Sequence, residues 1–268
     1  MWQNRKVILI VLAVIVLAGG VWAFNLVLGE PEAASAPISS IPLELEPEPT
    51  DVPPTTTPAA AETAVPIQEE ATPTNEPTAA PEPTEVPATG PIIFEIDQTE
   101  SEVRFTLDEV LRGSPKTVIG VSDQVAGQIA VDLTDLSTAQ VGVILVNART
   151  LATDNNFRNR SIRNLILETD AYEFITFTPT AITGLPETAV SGDTLTFQMT
   201  GDLTIRDITN EVVFEVTATA VSESRLEGTA VTTILRSAYQ LVIPEVEGVA
   251  NVSDEVLLEI DFVGTAVK

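Results

Sequence analysis

Thr194-Leu195-Thr196-Phe197-Gln198-Met199-Thr200 and Val212-Val213-Phe214-Glu215-Val216-Thr217-Ala218-Thr219-Ala220-Val221 decide how this chain folds. In the first run Leu195, Phe197 and Met199 share one face and polar side chains the other. In the second, Val212, Phe214, Val216, Ala218 and Ala220 alternate with Val213, Glu215, Thr217, Thr219 and Val221. A period of two with one dry face is the pattern of an antiparallel strand whose other face meets water. The same alternation opens at Phe94 and Ile96, continues through Val103, Phe105 and Leu107, and closes at Val256, Leu258, Ile260 and Phe262. Further strand candidates are 127–133, 140–146, 174–178 and 229–235. Turn residues separate them at Gly184-Leu185-Pro186, Ser191-Gly192-Asp193 and Asp207-Ile208-Thr209-Asn210.

One segment departs from this period. Asp154 or Asn155 is a suitable N-cap, and Ile162, Leu165 and Ile166 follow at i, i+3, i+4, which predicts a short amphipathic helix. The chain from 92 to 268 thus reads as an all-β domain of eight to ten strands with one inserted helix. A closed barrel and a β-sandwich both satisfy the pattern, and periodicity does not separate them.

The composition narrows the chemistry. The 268 residues carry 13 Lys+Arg against 39 Asp+Glu, a formal charge of −26, which argues against binding a phosphate backbone. There is no Cys and no His. Thiolate nucleophiles, iron–sulfur clusters, Cys- or His-ligated metals and His general bases are therefore excluded. The acids near Asp97, Glu100 and Glu102 do not match a calcium loop, so no metal is expected.

Two segments precede the domain. Residues 1–6 carry Arg5 and Lys6, and 22 residues from Val7 to Leu28 follow, interrupted only by Gly19, Gly20 and Asn25. Roughly 20 apolar residues span a bilayer core as a helix, and flanking cations place the N-terminus in the cytoplasm. The expectation is a single-pass signal anchor at 7–28 in the cytoplasmic membrane with the rest of the chain extracytoplasmic. The alternative is a cleaved signal peptide, whose apolar region is ordinarily about 7–15 residues. Residues 29–91 hold 15 of the 19 prolines, 12 acids and no Lys or Arg. Such a stretch is expected to be a disordered, acidic Pro/Thr/Glu-rich linker that buries nothing, with a fully extended reach of roughly 200 Å.

Four short stretches in order resemble one family. Phe94-Glu95-Ile96-Asp97 with Ser101-Glu102-Val103-Arg104-Phe105 is similar to the first strands of the YceI-like domain, a bacterial lipid/polyisoprenoid-binding family. Gly201-Asp202-Leu203-Thr204-Ile205-Arg206-Asp207-Ile208-Thr209 resembles its central hairpin. Thr153 to Arg163 with Tyr172-Glu173-Phe174-Ile175-Thr176-Phe177 resembles its helix and following strand, and Arg236, Tyr239 and Leu241 with 252–260 its closing strands. There are departures. Many members carry His in the first hairpin and after the Thr-Ile motif, where this chain has Arg206. Asp207 stands where Gly is usual, and Glu173 where Pro is usual. Phe105 to Gly113, with Glu109-Val110-Leu111, is similar to the branch bearing Glu-x-Leu.

The resemblance implies an extended lipocalin-like antiparallel β-barrel of about eight strands that holds a long isoprenoid chain, a polyisoprenoid or a quinone tail. Binding of this kind needs no catalytic group, only a dry lining with a few polar contacts at the mouth. The expected lining is Phe105, Leu195, Phe197, Met199, Val212, Phe214, Leu258, Ile260 and Phe262. Arg158, Arg160 and Arg163 are the candidates for a cationic head-group rim; a solvated helix face balancing Glu168 and Asp170 is their alternative. No enzyme activity and no cofactor beyond a bound lipid are expected. The partners expected are an amphiphilic lipid and the membrane through 7–28. A structural or adhesive β-domain on a stalk is the rival reading, separable by whether the interior is hollow or filled.

Overall fold

The computed structural model describes residues 32–35, 37–44 and 90–267. The N-terminus 1–6, the anchor read at 7–28 and the stretch 45–89 lie outside the described residues. Among the described residues no helix is long and apolar enough to cross a membrane.

Among the described residues, thirteen strands form a single antiparallel sheet. They are β1 (Ile92–Ile96), β2 (Glu102–Leu111), β3 (Ser114–Ser122), β4 (Val125–Ala126), β5 (Gln128–Val131), β6 (Gln140–Val141), β7 (Ile144–Asn147), β8 (Phe174–Thr183), β9 (Thr194–Ile205), β10 (Ile208–Ser222), β11 (Arg225–Leu235), β12 (Val249–Ala250) and β13 (Glu255–Ala266). The register pairs Phe214 with Met199, Val216 with Phe197 and Ala218 with Leu195, so the two runs that decide the fold lay their apolar faces side by side. Phe214, Val216 and Ala218 are buried while Val213, Glu215 and Thr217 are exposed.

The sheet curls on itself. Its order is β4-β7-β8-β9-β10-β11-β13-β1-β5-β6. Only Gly127 separates β4 from β5, and only Gly142 and Val143 separate β6 from β7. The first and last members of that order are therefore halves of one hairpin, tied by Ile96 N to Gly127 O (3.0 Å) and Gly142 N to Gln128 O (2.8 Å). These interruptions raise the strand number above the eight to ten expected from the sequence. β13 pairs β2 through Leu257–Asp261 and β1 at Gly264 to Ala266. The switch is fastened by buried Ser101, whose hydroxyl accepts from Val263 N (3.0 Å).

Two local readings are corrected. Ile205 pairs Ile208, so the β9–β10 loop is Arg206-Asp207 alone, and Ile208, Thr209 and Asn210 belong to β10. Arg206 takes the left-handed φ of 59° that this tight loop requires. β3 is absent from the strands expected by alternation, because Pro115, Lys116 and Gly120 dilute its period. Gly120 is there for packing: a Cβ would lie 2.2 Å from Cε1 of Phe105, its cross-strand partner. Gly228 opposite Phe262 is the same device, the ring lying over bare backbone.

The helix α1 (Asn156–Ser161) is capped by Asn155, one of the two residues expected, whose side chain accepts from Phe157 N (2.9 Å) and Arg158 N (3.1 Å). It then widens into a π-helical turn over Ile162–Ile166, closed by Leu167 N to Ile162 O (2.8 Å). The extra residue turns Ile162 and Leu167 to the core, whereas Leu165 and Ile166 are only half-buried.

Residues 32–43 also differ from a bare spacer. They cross the outer face of the sheet as a strap. Ser35 N (2.6 Å) and Oγ (2.9 Å) donate to the Glu173 carboxylate, Gln98 Nε2 to Ile38 O (2.7 Å), Ser40 Oγ to Glu95 (2.5 Å) and Leu43 N to Gln128 Oε1 (2.8 Å). Ile38 is 6% exposed. The acidic average of 29–91 conceals the reason: 33–43 supplies Ile38, Ile41 and Leu43 and carries no charged residue.

Candidate functional site: a two-chambered apolar interior

The inward faces of the strands enclose space that side chains do not fill. One chamber, of about 210 Å³, is walled by aliphatic and aromatic side chains from nearly every strand, among them Ile129, Val141, Phe177, Leu203, Val216, Ala230 and Phe262. A second, of about 420 Å³, lies under α1 and the β11–β13 connection, lined by Leu107, Val118, Ile162, Leu167, Ile234, Leu241 and Val256. The two meet at a common wall of Phe105, Leu151, Ile175, Ile205 and Leu258. The Phe177 and Phe214 rings stand edge to face with centroids 4.9 Å apart, a pairing that fixes both against the chamber.

Eight of the nine predicted lining residues border these spaces: Phe105, Leu195, Phe197, Met199, Phe214, Leu258, Ile260 and Phe262. Val212 does not. It packs against the same core where β10 passes Gly201, away from both chambers.

The predicted rim divides. Arg158 lines the larger chamber, held by buried Glu109 (2.6 Å) and by Asp154 (2.7 Å). Arg163 turns away and donates to Arg149 O (3.3 Å), and Arg160 makes no hydrogen bond or ion pair among the described residues. Neither lines a chamber. Glu168, named as a balancing acid, pairs instead with Arg206 (3.0 Å). The charged groups bordering the larger chamber are Arg112, Arg158, Arg236, Glu109 and Glu247.

Sequence reasoning missed Glu109, and a signal was present. It falls in period with Phe105, Leu107 and Leu111, so an acid stands on the dry face of β2. A carboxylate there, 6% exposed, needs a partner, and only the fold brings Arg158 to it.

At the strap, burial pushes the Glu173 carboxyl up. The Ser35 amide and hydroxyl, the Asn147 amide and the Arg149 guanidinium pull it further down, leaving it below the ordinary value. Among the described residues no cluster of three acids could hold a metal ion.

A dry interior of this kind has room for an apolar chain. Both chambers are walled mainly by hydrocarbon; five charged groups border the larger one, and Arg104 and Glu259 the smaller.

Known proteins resemble this chain in sequence and fold. A UPF0312 protein of Staphylococcus aureus strain MRSA252 is 27% identical over 146 residues, 53% of this chain and 74% of the relative. The crystal structure of Burkholderia cenocepacia BcnA superposes with a TM-score of 0.50 at 20% identity, covering 63% of this chain and 99% of BcnA. A polyisoprenoid-binding domain from Saccharophagus degradans, implicated in plant cell wall breakdown, superposes with a TM-score of 0.50 at 15% identity, covering 66% and 99%. At these identities the structures speak to fold. The model of the YceI-like domain matches residues 94–264, and this chain belongs to that family.

Proposed function

We propose that the protein is a membrane-tethered, exported binding protein that holds an amphiphilic isoprenoid-type lipid, a polyisoprenoid or a quinone, inside the curled sheet. The observation that carries this is the pair of adjoining apolar chambers, the larger bordered by Arg112, Arg158, Arg236, Glu109 and Glu247. A hydrocarbon chain gains about 0.8 kcal/mol for each CH₂ it buries, so a dry interior supplies affinity and a charged border can orient a polar head. The Saccharophagus degradans domain's description as polyisoprenoid-binding favours the same class of ligand. The adhesive alternative requires a filled interior, and the hollow one favours the lipid reading. The anchor at 7–28 and the extracytoplasmic placement rest on the apolar run behind Arg5 and Lys6. No catalytic role is assigned to any residue.

Organic extraction of the protein purified from its host, followed by mass spectrometry, tests the reading. A stoichiometric isoprenoid lipid is expected. Repeated extraction of none, from preparations shown to be folded, overturns it.

A further inference from the structure

Given the anchor reading of 7–28, the strap sets how far the domain can stand from a membrane. Leu28 and Glu32 are four Cα steps apart, at most about 14 Å. Glu32 is already fastened: its carboxylate to Arg149 Nη2 (2.8 Å) and its amide to Asp170 Oδ1 (2.9 Å). Arg149 O in turn accepts from Arg163, on the π-helical turn that covers the larger chamber, and Asp170 lies just beyond its lining residue Leu167. The chain thus joins the domain at the end where that chamber lies. Residues 44–90 cannot act as the stalk, because both of their ends stand on β5. Leu43 is bonded to Gln128 and Ile92 is paired with Val131.

That end carries exposed apolar side chains beside the hollow interior. Phe157 is 69% exposed, Val242 72% and Val246 49%, and Phe157 and Val246 both line the larger chamber. At the opposite end, about 33 Å away along β11, the β10–β11 turn is Ser222-Glu223-Ser224-Arg225, and the exposed Val190, Val221 and Val267 near it line neither chamber. An exposed apolar lip around a hollow interior marks a surface that meets another apolar phase. The short connection to the anchor specifies which one.

We propose that Phe157, Val242 and Val246 rest on the bilayer that carries the chain's own anchor. The strap holds them there, so lipid passes between bilayer and larger chamber without crossing water.

The chain has no Cys, so single labels are unambiguous. Full-length protein carrying Val242→Cys, Phe157→Cys or Glu223→Cys, labelled with an environment-sensitive fluorophore, is placed in nanodiscs of phosphatidylethanolamine and phosphatidylglycerol containing doxyl-labelled lipid. Loss of fluorescence is expected at 157 and 242 and not at 223. Inserting about twenty Gly/Ser residues after Gly29, which adds roughly 25 Å of reach, is expected to restore the signal at 242. Equal quenching at 242 and 223, or quenching at 242 unchanged by the insertion, overturns the proposal while leaving the anchor and the lipid content intact. Intact mass separates the two failures. A chain found cleaved before Glu32 overturns both this inference and the anchor reading.

Discussion

Filling the smaller chamber should stabilise the empty protein and expel part of its ligand, and Ala230→Leu does this. Ala230 is buried on the inner face of β11, paired with Val216 on one side and Ile260 on the other, and all three border the chamber. At about 24 cal/mol per Å³, an apolar void of 210 Å³ costs on the order of 5 kcal/mol when nothing occupies it. Leucine adds three carbons, which recover about 2.4 kcal/mol if they enter the void without displacing neighbours. A domain of this size should then melt about 5–10 °C higher when stripped of lipid. The same three carbons occupy space that the ligand chain would fill, so lipid affinity should fall by about 2.4 kcal/mol, roughly 60-fold. Thermal unfolding of delipidated protein and lipid content per mole of folded protein read the two effects. Overpacking would instead cost about 1–3 kcal/mol. A variant that melts lower and retains its full lipid content would refute the reasoning, because the space around Ala230 would already be packed and the ligand would sit elsewhere.

The same geometry sets four other outcomes. Phe214→Asp removes a ring packed edge-on to Phe177 and strands a carboxyl in the smaller chamber; lipid retention should be abolished in protein that is folded by circular dichroism, and a loaded variant would count against the chamber. Arg158→Ala leaves Glu109 buried without its partner and should lower stability by about 3 kcal/mol in urea titration, with Glu109→Leu restoring much of it, whereas the control Arg160→Ala should change stability by under about 0.5 kcal/mol. Gly120→Ala must displace the Phe105 ring and should cost about 1–3 kcal/mol by the same assay, less in a Phe105→Leu background. The Glu173 carboxyl is held below the ordinary glutamate value of about 4.3, so its contribution is present above that range and lost as pH falls through its folded value. Glu173→Gln should therefore melt lower than the native protein at neutral pH, and the gap should close in acid; a gap that stays constant with pH would show that the carboxylate does not hold the strap.

The all-β class, the inner faces of β9, β10 and β13 and the Asn155 cap were legible in the sequence. Each is a local matter: alternation records which side of a strand is dry, and a cap is read from the residues beside it. Hydrophobic period also singled out most of the chamber lining, since a residue on the dry face must point inward wherever its strand lies. Closure was not legible, because a barrel and a sandwich ask the same alternation of every strand. It was decided by the breaks at Gly127 and Gly142, which let a single hairpin serve both ends of the sheet. Partnership was not legible either. Glu109 and Arg158 are 49 positions apart, Ser35 and Glu173 are 138 apart, and only the register of the curled sheet brings each pair within hydrogen-bonding distance. The turn at Arg206 and β3 were obscured because residues chosen for tertiary fit displace those of local preference. An arginine takes a left-handed φ, and a glycine inside a strand makes room for a ring from the next. Local alternation therefore says which faces are dry, since that depends only on each strand's own residues. Long-range register decides that the dry faces enclose space rather than fill it, which charges meet at its border, and that a nearly uncharged run within an acidic linker lies against the sheet.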